Sequence, residues 1–179
     1  NRLLRECIAD IPQIKRVLNI GACPDDKDKE GSFYKDYFKN AEYYTLDKNY
    51  NIINKHHYII DLHDICNLKD KFDFVVANNV IEHVENPFEV SKNICQVVSQ
   101  NGYLFVSTPF FYPIHKDQMN RFSDYWRFTD DALRILFSKM EEVWIKESPS
   151  VIKVVDDRST YWDDMSSTVS GYCALFRKV

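Results

Sequence analysis

Four short stretches of the sequence, each polar or led by glycine, come directly after an apolar run. They are Gly21-Ala22 after "RVLNI", Asp47 after "YYTL", Asp61-Leu62 after "HHYII" and Asn78 to His83 after "FDFVVA". The carboxyl ends of parallel strands share one edge of an open α/β sheet, and ligands bind at that edge. We therefore expect the four stretches to line one binding site.

Gly21 and Asp47 have the types and spacing of a nucleotide-like cofactor site. Gly21 has no Cβ, so its backbone can lie directly against a ligand. Asp47, 26 positions later, can accept hydrogen bonds from both hydroxyls of an unphosphorylated ribose. The two residues predict a cofactor that carries a ribose.

The loop after Gly21 is rich in acids where a dinucleotide fingerprint has glycines. It continues as "ACPDDKDKE", with Ala22, Cys23 and Asp25 in the turn. A pyrophosphate needs exposed backbone N–H groups, and carboxylates repel it, whereas they attract the sulfonium and ammonium groups of S-adenosylmethionine. The loop favours S-adenosylmethionine over NAD; the alternative is an ordinary solvated loop of mixed charge.

His83 and His115 are the candidate general bases for an acceptor. A hydroxyl becomes a good nucleophile when its proton is removed, and an imidazole with a pKa of about 6.5 can accept that proton near neutral pH. His115 lies in the loop after Pro113, where acceptor-binding residues are expected. For His83 a structural role at the end of the strand is the alternative.

Tyr125, Trp126 and Arg127 are predicted, together with Asp117, to bind the substrate. Arg127 can pair with a carboxylate or phosphate of the acceptor. The alternative is that Trp126 belongs to the core and that Arg127 bonds Asp124 or a strand carbonyl.

No metal site is predicted. The segment "DLHD" and the pair His56-His57 contain ligand types, but adjacent histidines on a strand point to opposite faces. The five cysteines are never spaced as CxxC, so neither a zinc site nor a disulfide framework is indicated.

The elements that must position these residues follow the order of a doubly wound α/β fold. Strand-like runs at "RVLNI" and "AEYYTLD" flank the helical spacing of "GSFYKDYF", as in a βαβ unit. Further strands are predicted at "HHYIID", "KFDFVVAN" and "YLFVSTP". The runs "EEVWIKE" and "GYCALFRKV" have no long helix between them and predict an antiparallel hairpin at the sheet edge.

Two helices have clear start signals. Asn86 is the predicted N-cap of the first, with Pro87 and Glu89 completing a capping box, and Gly102 is predicted to end it. Thr129 is the predicted N-cap of the second. The predicted buried faces are Val90, Ile94, Val97 and Val98 in the first helix and Leu133, Leu136, Phe137 and Met140 in the second.

Composition limits the class of protein. With 179 residues, 45% of them apolar, the chain fits one α/β domain spanning residues 1–179. A formal net charge of −4 argues against a nucleic-acid partner, which needs clustered Lys and Arg. No apolar run reaches the roughly 20 residues of a membrane span, and "NRLLRECIADI" lacks a signal-peptide layout, so a cytoplasmic protein is predicted.

The sequence resembles the class I S-adenosylmethionine-dependent methyltransferases over most of its length. "VLNIGA" is similar to their first motif, "YYTLDKN" to the second and "IIDLHDI" to the third. The most specific match is "FDFVVANNVIEHVENPFEVSKNICQVVSQNGYLFVSTP", which resembles the fourth strand, the "EH" turn and the following helix of the small-molecule branch. The resemblance implies a Rossmann-like sheet of seven strands, mostly parallel with the last one antiparallel.

The resemblance also implies S-adenosylmethionine as cofactor, with Asp61 at the adenine amino group and Leu62 at the adenine ring. The implied cofactor-binding residues are Asn19, Gly21, Ala22, Asp47, Asp61, Leu62, Asn78 and Asn79. The family usually has an acid where Asn19 stands and further glycines where Cys23 and Asp25 stand.

The segment "HKDQMNRFSDYWRFTDDALRILF" resembles methyltransferases encoded with bacterial surface-polysaccharide genes. The leading hypothesis is therefore O-methylation of a sugar or glycan precursor. The altered glycine motif keeps a second hypothesis open, a non-catalytic binding or regulatory protein with this fold. A nicotinamide-dependent enzyme is a third. The oligomeric state is left open.

Overall fold

The apolar runs of the sequence form strands of one sheet in the computed structural model, which describes residues 2–22, 26–28, 31–48, 56–116, 122–149 and 169–179. The strands are β1 (Arg16–Ile20), β2 (Glu42–Asp47), β3 (His57–Ile59), β4 (Phe72–Asn78), β5 (Val98–Pro109), β6 (Glu141–Pro149) and β7 (Val169–Arg177). The α-helices of the described residues are α1 (Arg2–Ala9), α2 (Pro87–Val97) and α3 (Asp130–Leu136). Short 3₁₀ helices cover Tyr34–Phe38, Leu62–Asn67 and Ile81–His83.

The seven strands of the described residues lie in the order β3-β2-β1-β4-β5-β7-β6. Strands β1 to β5 pair in parallel, and β7 runs antiparallel to both β5 and β6. This confirms the predicted seven-stranded sheet with an antiparallel last strand and an antiparallel pair at its edge. The strand order reverses between β1 and β4, so their carboxyl ends flank the crevice where such sheets bind ligands.

Helices pack on both faces of the sheet because the central strands are apolar on both sides. Val75 and Ala77 of β4 belong to a buried cluster that includes side chains of α2 and α3. Phe74 and Val76 face the opposite cluster, which contains side chains of α1 and of the Tyr34–Phe38 helix. This alternation is what a doubly wound parallel sheet requires.

The predicted helix starts are confirmed. Asn86 accepts a hydrogen bond from the backbone N–H of Glu89 at 3.2 Å, as the N-cap residue of a capping box does, and its side-chain amide donates to the Glu89 carboxylate at 3.2 Å. Thr129 accepts from the backbone N–H of Ala132 at 3.2 Å. The residues predicted for the two buried faces are all buried, but Val98, Phe137 and Met140 lie beyond the ends of α2 and α3.

Gly102 does not end α2, and this prediction is wrong. The helix ends at Val97, and Val98 already has an extended backbone and pairs with Phe72 of β4. Two consecutive β-branched residues favour this direct change from helix to strand. Gly102 lies inside β5, where a Cβ would come 2.9 Å from the carbonyl oxygen of Ser99.

Three smaller differences concern local structure. The helical spacing of "GSFYKDYF" forms a 3₁₀ helix, Tyr34–Phe38. The third strand ends at Ile59, and Asp61 instead caps the Leu62–Asn67 helix. Helix α1 was not predicted; it covers Leu4 and Cys7, both buried. No helix within the described ranges is long and apolar enough to cross a membrane.

Candidate active site

The carboxyl ends of β1, β2 and β4 open into one cavity of about 1170 Å³. Eleven predicted site residues line it: Asn19, Gly21, Ala22, Asp47, Asp61, Leu62, Asn78, Asn79, His83, His115 and Tyr125. Sites for one small molecule commonly measure about 300–1,000 Å³. The cavity therefore slightly exceeds the usual volume of a site for one small molecule.

Gly21 makes the turn at the end of β1 that brings this loop against β4. Its φ is +67°, and a Cβ at this position would lie 2.6 Å from Cγ2 of Val80. Its backbone N–H donates to the carbonyl of Leu46 at 2.8 Å. Only glycine fits both the backbone conformation and the close approach.

An acid reaches Asn19 from the loop, although the sequence has none at that position. Asn19 is 3% exposed, and its side-chain amide donates to Oδ1 of Asp26 at 3.0 Å. The hydroxyl of Tyr43 donates to the same oxygen at 3.1 Å, and burial raises the pKa of Tyr43. Residues seven apart in sequence thus place a carboxylate beside the end of β1, a contact that a linear motif does not show.

The acidic loop also contributes Asp28, which lines the cavity. Asp28 is buried and accepts hydrogen bonds from the backbone N–H of Ser32 at 2.8 Å and from the hydroxyl of Tyr37. Lys27 lines the cavity as well, so this part of the wall carries both charges. Cys23 and Asp25, where glycines were expected, lie outside the described residues.

Asp47 and Asp61 lie close to the ends of the neighbouring strands β2 and β3 and line the cavity. Asp47 is the last residue of β2. Asp61 accepts a hydrogen bond from the backbone N–H of His63 at 3.0 Å, and its carboxylate lies 2.8 Å from Nδ1 of the same histidine. Leu62 follows it in the cavity wall.

Asn78 and Asn79 connect the end of β4 to its neighbours. The side-chain amide of Asn78 donates to the hydroxyl of Tyr34 at 2.5 Å and accepts from the hydroxyl of Ser107. Asn79 has a φ of +54°, and its backbone N–H donates to the carbonyl of Ser107 at 3.0 Å. These contacts fix the floor of the cavity between β1 and β5.

The structure brings the two predicted histidines together. The ring centroids of His83 and His115 lie 4.9 Å apart with the planes at 80°. Nδ1 of His83 lies 2.5 Å from the carbonyl oxygen of Ser123, and burial lowers the pKa of His83. Both rings line the same cavity as Gly21 and Asp47.

Asp124, which the sequence indicates only as a partner of Arg127, also contacts His115. Its side chain has no solvent exposure. Its Oδ2 accepts a hydrogen bond from the backbone N–H of His115 at 2.8 Å and lies 3.1 Å from Nδ1 of the ring. Arg127 binds both carboxylate oxygens, at 2.5 and 2.7 Å, and these hydrogen bonds hold the pKa of Asp124 well below its usual range.

The residues predicted to bind the substrate lie in different surroundings. Tyr125 lines the cavity, and its hydroxyl donates to Glu85 at 3.3 Å. Trp126 does not line the cavity; its indole N–H donates to the carbonyl of Val84 at 2.9 Å. Arg127 pairs with Asp124, which is the alternative that the sequence left open.

Asp117 lies outside the described residues. Of the histidine pair considered as metal ligands, His56 is exposed, and Nδ1 of His57 lies 2.9 Å from the hydroxyl of Thr45.

A model of the methyltransferase domain family matches residues 2–140. The chain belongs to this family. Methyltransferases of the family use S-adenosylmethionine as methyl donor, which favours that cofactor over the nicotinamide alternative. No curated protein sequence matches this methyltransferase significantly.

Solved structures share the fold of this methyltransferase at low sequence identity. An S-adenosylmethionine-dependent methyltransferase from Archaeoglobus fulgidus is 15% identical with a TM-score of 0.69, over 99% of this chain and 92% of that one. The N-methyltransferase NodS from Bradyrhizobium japonicum, in complex with S-adenosyl-L-homocysteine, is 15% identical with a TM-score of 0.64, over 99% and 84%. An S-adenosylmethionine-dependent methyltransferase from Clostridium acetobutylicum is 9% identical with a TM-score of 0.66, over 98% of this chain and 89% of that one.

The residues of this methyltransferase fit an S-adenosylmethionine molecule. Gly21 leaves the backbone bare at the sheet edge, and the carboxylate of Asp47 stands at the end of β2. The buried carboxylate of Asp28 lines the same cavity. Carboxylates on this wall are compatible with a cationic cofactor and disfavour a pyrophosphate.

Proposed function

We propose that this methyltransferase transfers the methyl group of S-adenosylmethionine to a hydroxyl of a sugar or glycan precursor. The observation that carries the proposal is that His83 and His115 share one cavity with Gly21, Asp47 and Asp61. Groups suited to an adenosyl cofactor and groups suited to handling an acceptor's proton therefore line the same cavity.

On the cofactor side, Asp47 is proposed to accept hydrogen bonds from the ribose hydroxyls, and Asp61 and Leu62 to bind the adenine. Bound S-adenosylmethionine supplies a methyl group on a sulfonium, which makes that carbon electrophilic. The Asn19–Asp26 pair and Asp28 supply negative charge beside the end of β1, and we propose that they face the cationic methionine end.

On the acceptor side, methyl transfer is a direct displacement, so the protein mainly has to align the reactants and exclude water. His83 and His115 are the proposed catalytic residues, because they can act on the proton of a hydroxyl. Tyr125 is the proposed contact for the acceptor. Arg127 is a positioning residue that acts through Asp124, and Asp117 remains a predicted substrate contact.

A hydroxyl is favoured over an amine because a neutral amine attacks through its own lone pair, whereas a hydroxyl becomes a good nucleophile when a neighbouring group removes its proton. NodS, which shares the fold, is named an N-methyltransferase, so an amine acceptor belongs in the test. The sugar is supported by the resemblance of the segment at 115–137 to methyltransferases encoded with surface-polysaccharide genes.

The test is transfer of radioactive methyl from S-adenosylmethionine to a panel of nucleotide sugars, with deoxy and amino analogues as matched controls. We expect label on hydroxyl-bearing sugars and its loss when one hydroxyl is removed. Label on amino sugars alone would contradict the hydroxyl acceptor. Cofactor binding without transfer to any member of the panel would favour the non-catalytic alternative.

A further inference from the structure

We propose that Glu82, His83 and His115 form a binding site for one divalent transition-metal ion on the acceptor side of the cavity. Ion binding itself is independent of the proposed function. The use of the ion rests on that function, since the ion would activate the acceptor hydroxyl.

The three residues offer a set of ligands that metal ions use. One ligand atom from each lies within 4.8 Å of the others. Two imidazoles and one carboxylate bind Zn²⁺ in hydrolytic enzymes and Fe²⁺ in oxygenases, and in both cases further coordination positions stay open for substrate. Here the open positions would face the cavity, because His83 and His115 line it.

Hydrogen bonds orient both imidazoles so that Nε2 is the ligand atom. Nδ1 of His83 donates to the carbonyl of Ser123. Nδ1 of His115 lies 3.1 Å from Oδ2 of Asp124 and 3.2 Å from the carbonyl of Pro113. A ring whose Nδ1 carries the proton presents the Nε2 lone pair to a metal ion.

Glu82 brings a carboxylate to the same point. Its side chain has no solvent exposure, and Oε1 lies 3.7 Å from Nε2 of His83. Two atoms that each bind one ion at about 2.0–2.2 Å in a tetrahedral site lie roughly 3.5 Å apart, so Glu82 and His83 already have nearly this spacing, and ligand atoms at the 4.8 Å limit of the cluster would move closer on binding. A cation among the three ligands would offset the free-energy cost of burying the carboxylate.

The surrounding contacts hold the ligands in place. The backbone carbonyl of Glu82 accepts from the backbone N–H of Tyr125 at 2.9 Å, which joins the Ile81–His83 helix to the segment after Phe122. Asp124, clamped by Arg127, supports His115. A carboxylate behind a ligating histidine is a common second layer of metal sites.

The ion would act on the acceptor before methyl transfer. With the ion bound, His83 and His115 act as its ligands and no longer accept the proton themselves. A hydroxyl beside the ion has a lowered pKa and releases its proton to water. The oxygen then forms a bond to the methyl carbon while the carbon–sulfur bond breaks, and the electron pair of that bond goes to sulfur. The position left open toward the cavity suits a hydroxyl of the acceptor.

The test is a titration of the full chain with Co²⁺, after dialysis against a chelator and without cofactor or acceptor, followed by visible absorption. We expect Co²⁺ to bind at one saturable site and Zn²⁺ to displace the Co²⁺. Removing a ligand in His83→Ala, His115→Ala or Glu82→Gln should abolish Co²⁺ binding, and Asp124→Asn should weaken Co²⁺ binding about 10- to 100-fold. His56→Ala is the matched control, because His56 is exposed and lies outside the cavity; its titration should be unchanged.

The inference is overturned if the wild-type chain binds no Co²⁺ at one equivalent, or if His56→Ala weakens binding as much as His115→Ala. Circular dichroism shows which variants fold. If Glu82→Gln is unfolded, His115→Ala decides, because that ring is 31% exposed. Methyl transfer at full rate in the metal-free enzyme would contradict the metal and leave the proposed function intact. Failure of the chain to bind S-adenosyl-L-homocysteine would contradict the proposed function and leave the metal site intact.

Discussion

Oδ2 of Asp124 lies 2.8 Å from the backbone nitrogen of His115, which donates a hydrogen bond to it, and 3.1 Å from Nδ1 of the same ring. One buried carboxylate therefore fixes both the chain and the imidazole of this residue. The bidentate contact with Arg127 keeps that carboxylate ionised and in place. The acceptor side of the site depends on this arrangement.

Asp124→Asn tests it. We expect kcat to fall about 10- to 100-fold, the range found for second-layer residues of this kind, with little change in the Kd for S-adenosyl-L-homocysteine, because Asp124 does not line the cavity. The measurements are steady-state kinetics and calorimetry.

Asp130→Asn is the control, since Asp130 also pairs with an arginine, at 2.6 Å from Arg134, but on the surface of α3. Equal losses of kcat in both variants would contradict a positioning role for Asp124.

Gly21→Ala should lower the free energy of unfolding more than Gly31→Ala. Both glycines have positive φ, +67° and +84°, but a Cβ at Gly21 meets Val80 at 2.6 Å and a Cβ at Gly31 meets nothing within 4 Å. The conformation costs about 1–2 kcal/mol at either position, and the overlap adds roughly 1–3 kcal/mol at Gly21. Urea unfolding measures both variants.

Equal losses for the two glycine variants would mean that the contact with Val80 has no effect. Val80→Ala in the Gly21→Ala background should restore part of the stability, because it removes the methyl group that the new Cβ meets.

Asp70 should make the stability of the fold depend on acid. Its carboxylate accepts hydrogen bonds from Arg16 at 2.8 Å and from the hydroxyl of Tyr58 at 2.8 Å. The hydrogen bond from Arg16 makes the largest contribution to lowering the pKa of Asp70, and the hydrogen bond from Tyr58 makes the next largest. A carboxyl whose pKa is lowered in the folded state stabilises the fold at pH values above its unfolded-state pKa of about 3.9. This contribution is lost as the pH falls through the folded-state pKa.

Asp70→Asn should therefore lower the urea midpoint at pH 7 and lower it less at pH 3. The effect is expected to stay below about 1 kcal/mol, because the pair is partly exposed. The exposed Asp36→Asn is the control. A difference between wild type and Asp70→Asn that is equally large at both pH values would contradict the assignment.

The sheet could be predicted from the sequence because each strand has a recognisable local pattern of residue types. The β-branched and aromatic runs of β1, β2 and β4 stop at Gly21, Asp47 and Asn78, and such stops follow from side-chain chemistry alone. The end of α2 could not be placed in the same way. Val97 and Val98 fit either a helix face or a strand, and pairing with Phe72 decides between them.

The site was predictable where its residues terminate strands and not where loops meet. Asp124 lies nine positions after His115 in a stretch without regular periodicity, so nothing in the sequence indicates that its carboxylate binds that ring. Asp26 reaches Asn19 by the same kind of loop contact. Glu82 stands beside His83 in sequence, but its complete burial depends on the 3₁₀ turn at Ile81–His83.

Calorimetric titration of the wild-type chain and of Asp47→Ala with S-adenosyl-L-homocysteine tests most directly whether this cavity binds the cofactor. We expect one site per chain in the wild type and about 10- to 100-fold weaker binding in Asp47→Ala, since hydrogen bonds to a charged group contribute about 1.5–3 kcal/mol. The exposed Asp36→Ala should bind as the wild type does. Absence of binding to the wild type, or equal affinity in Asp47→Ala, would contradict the account.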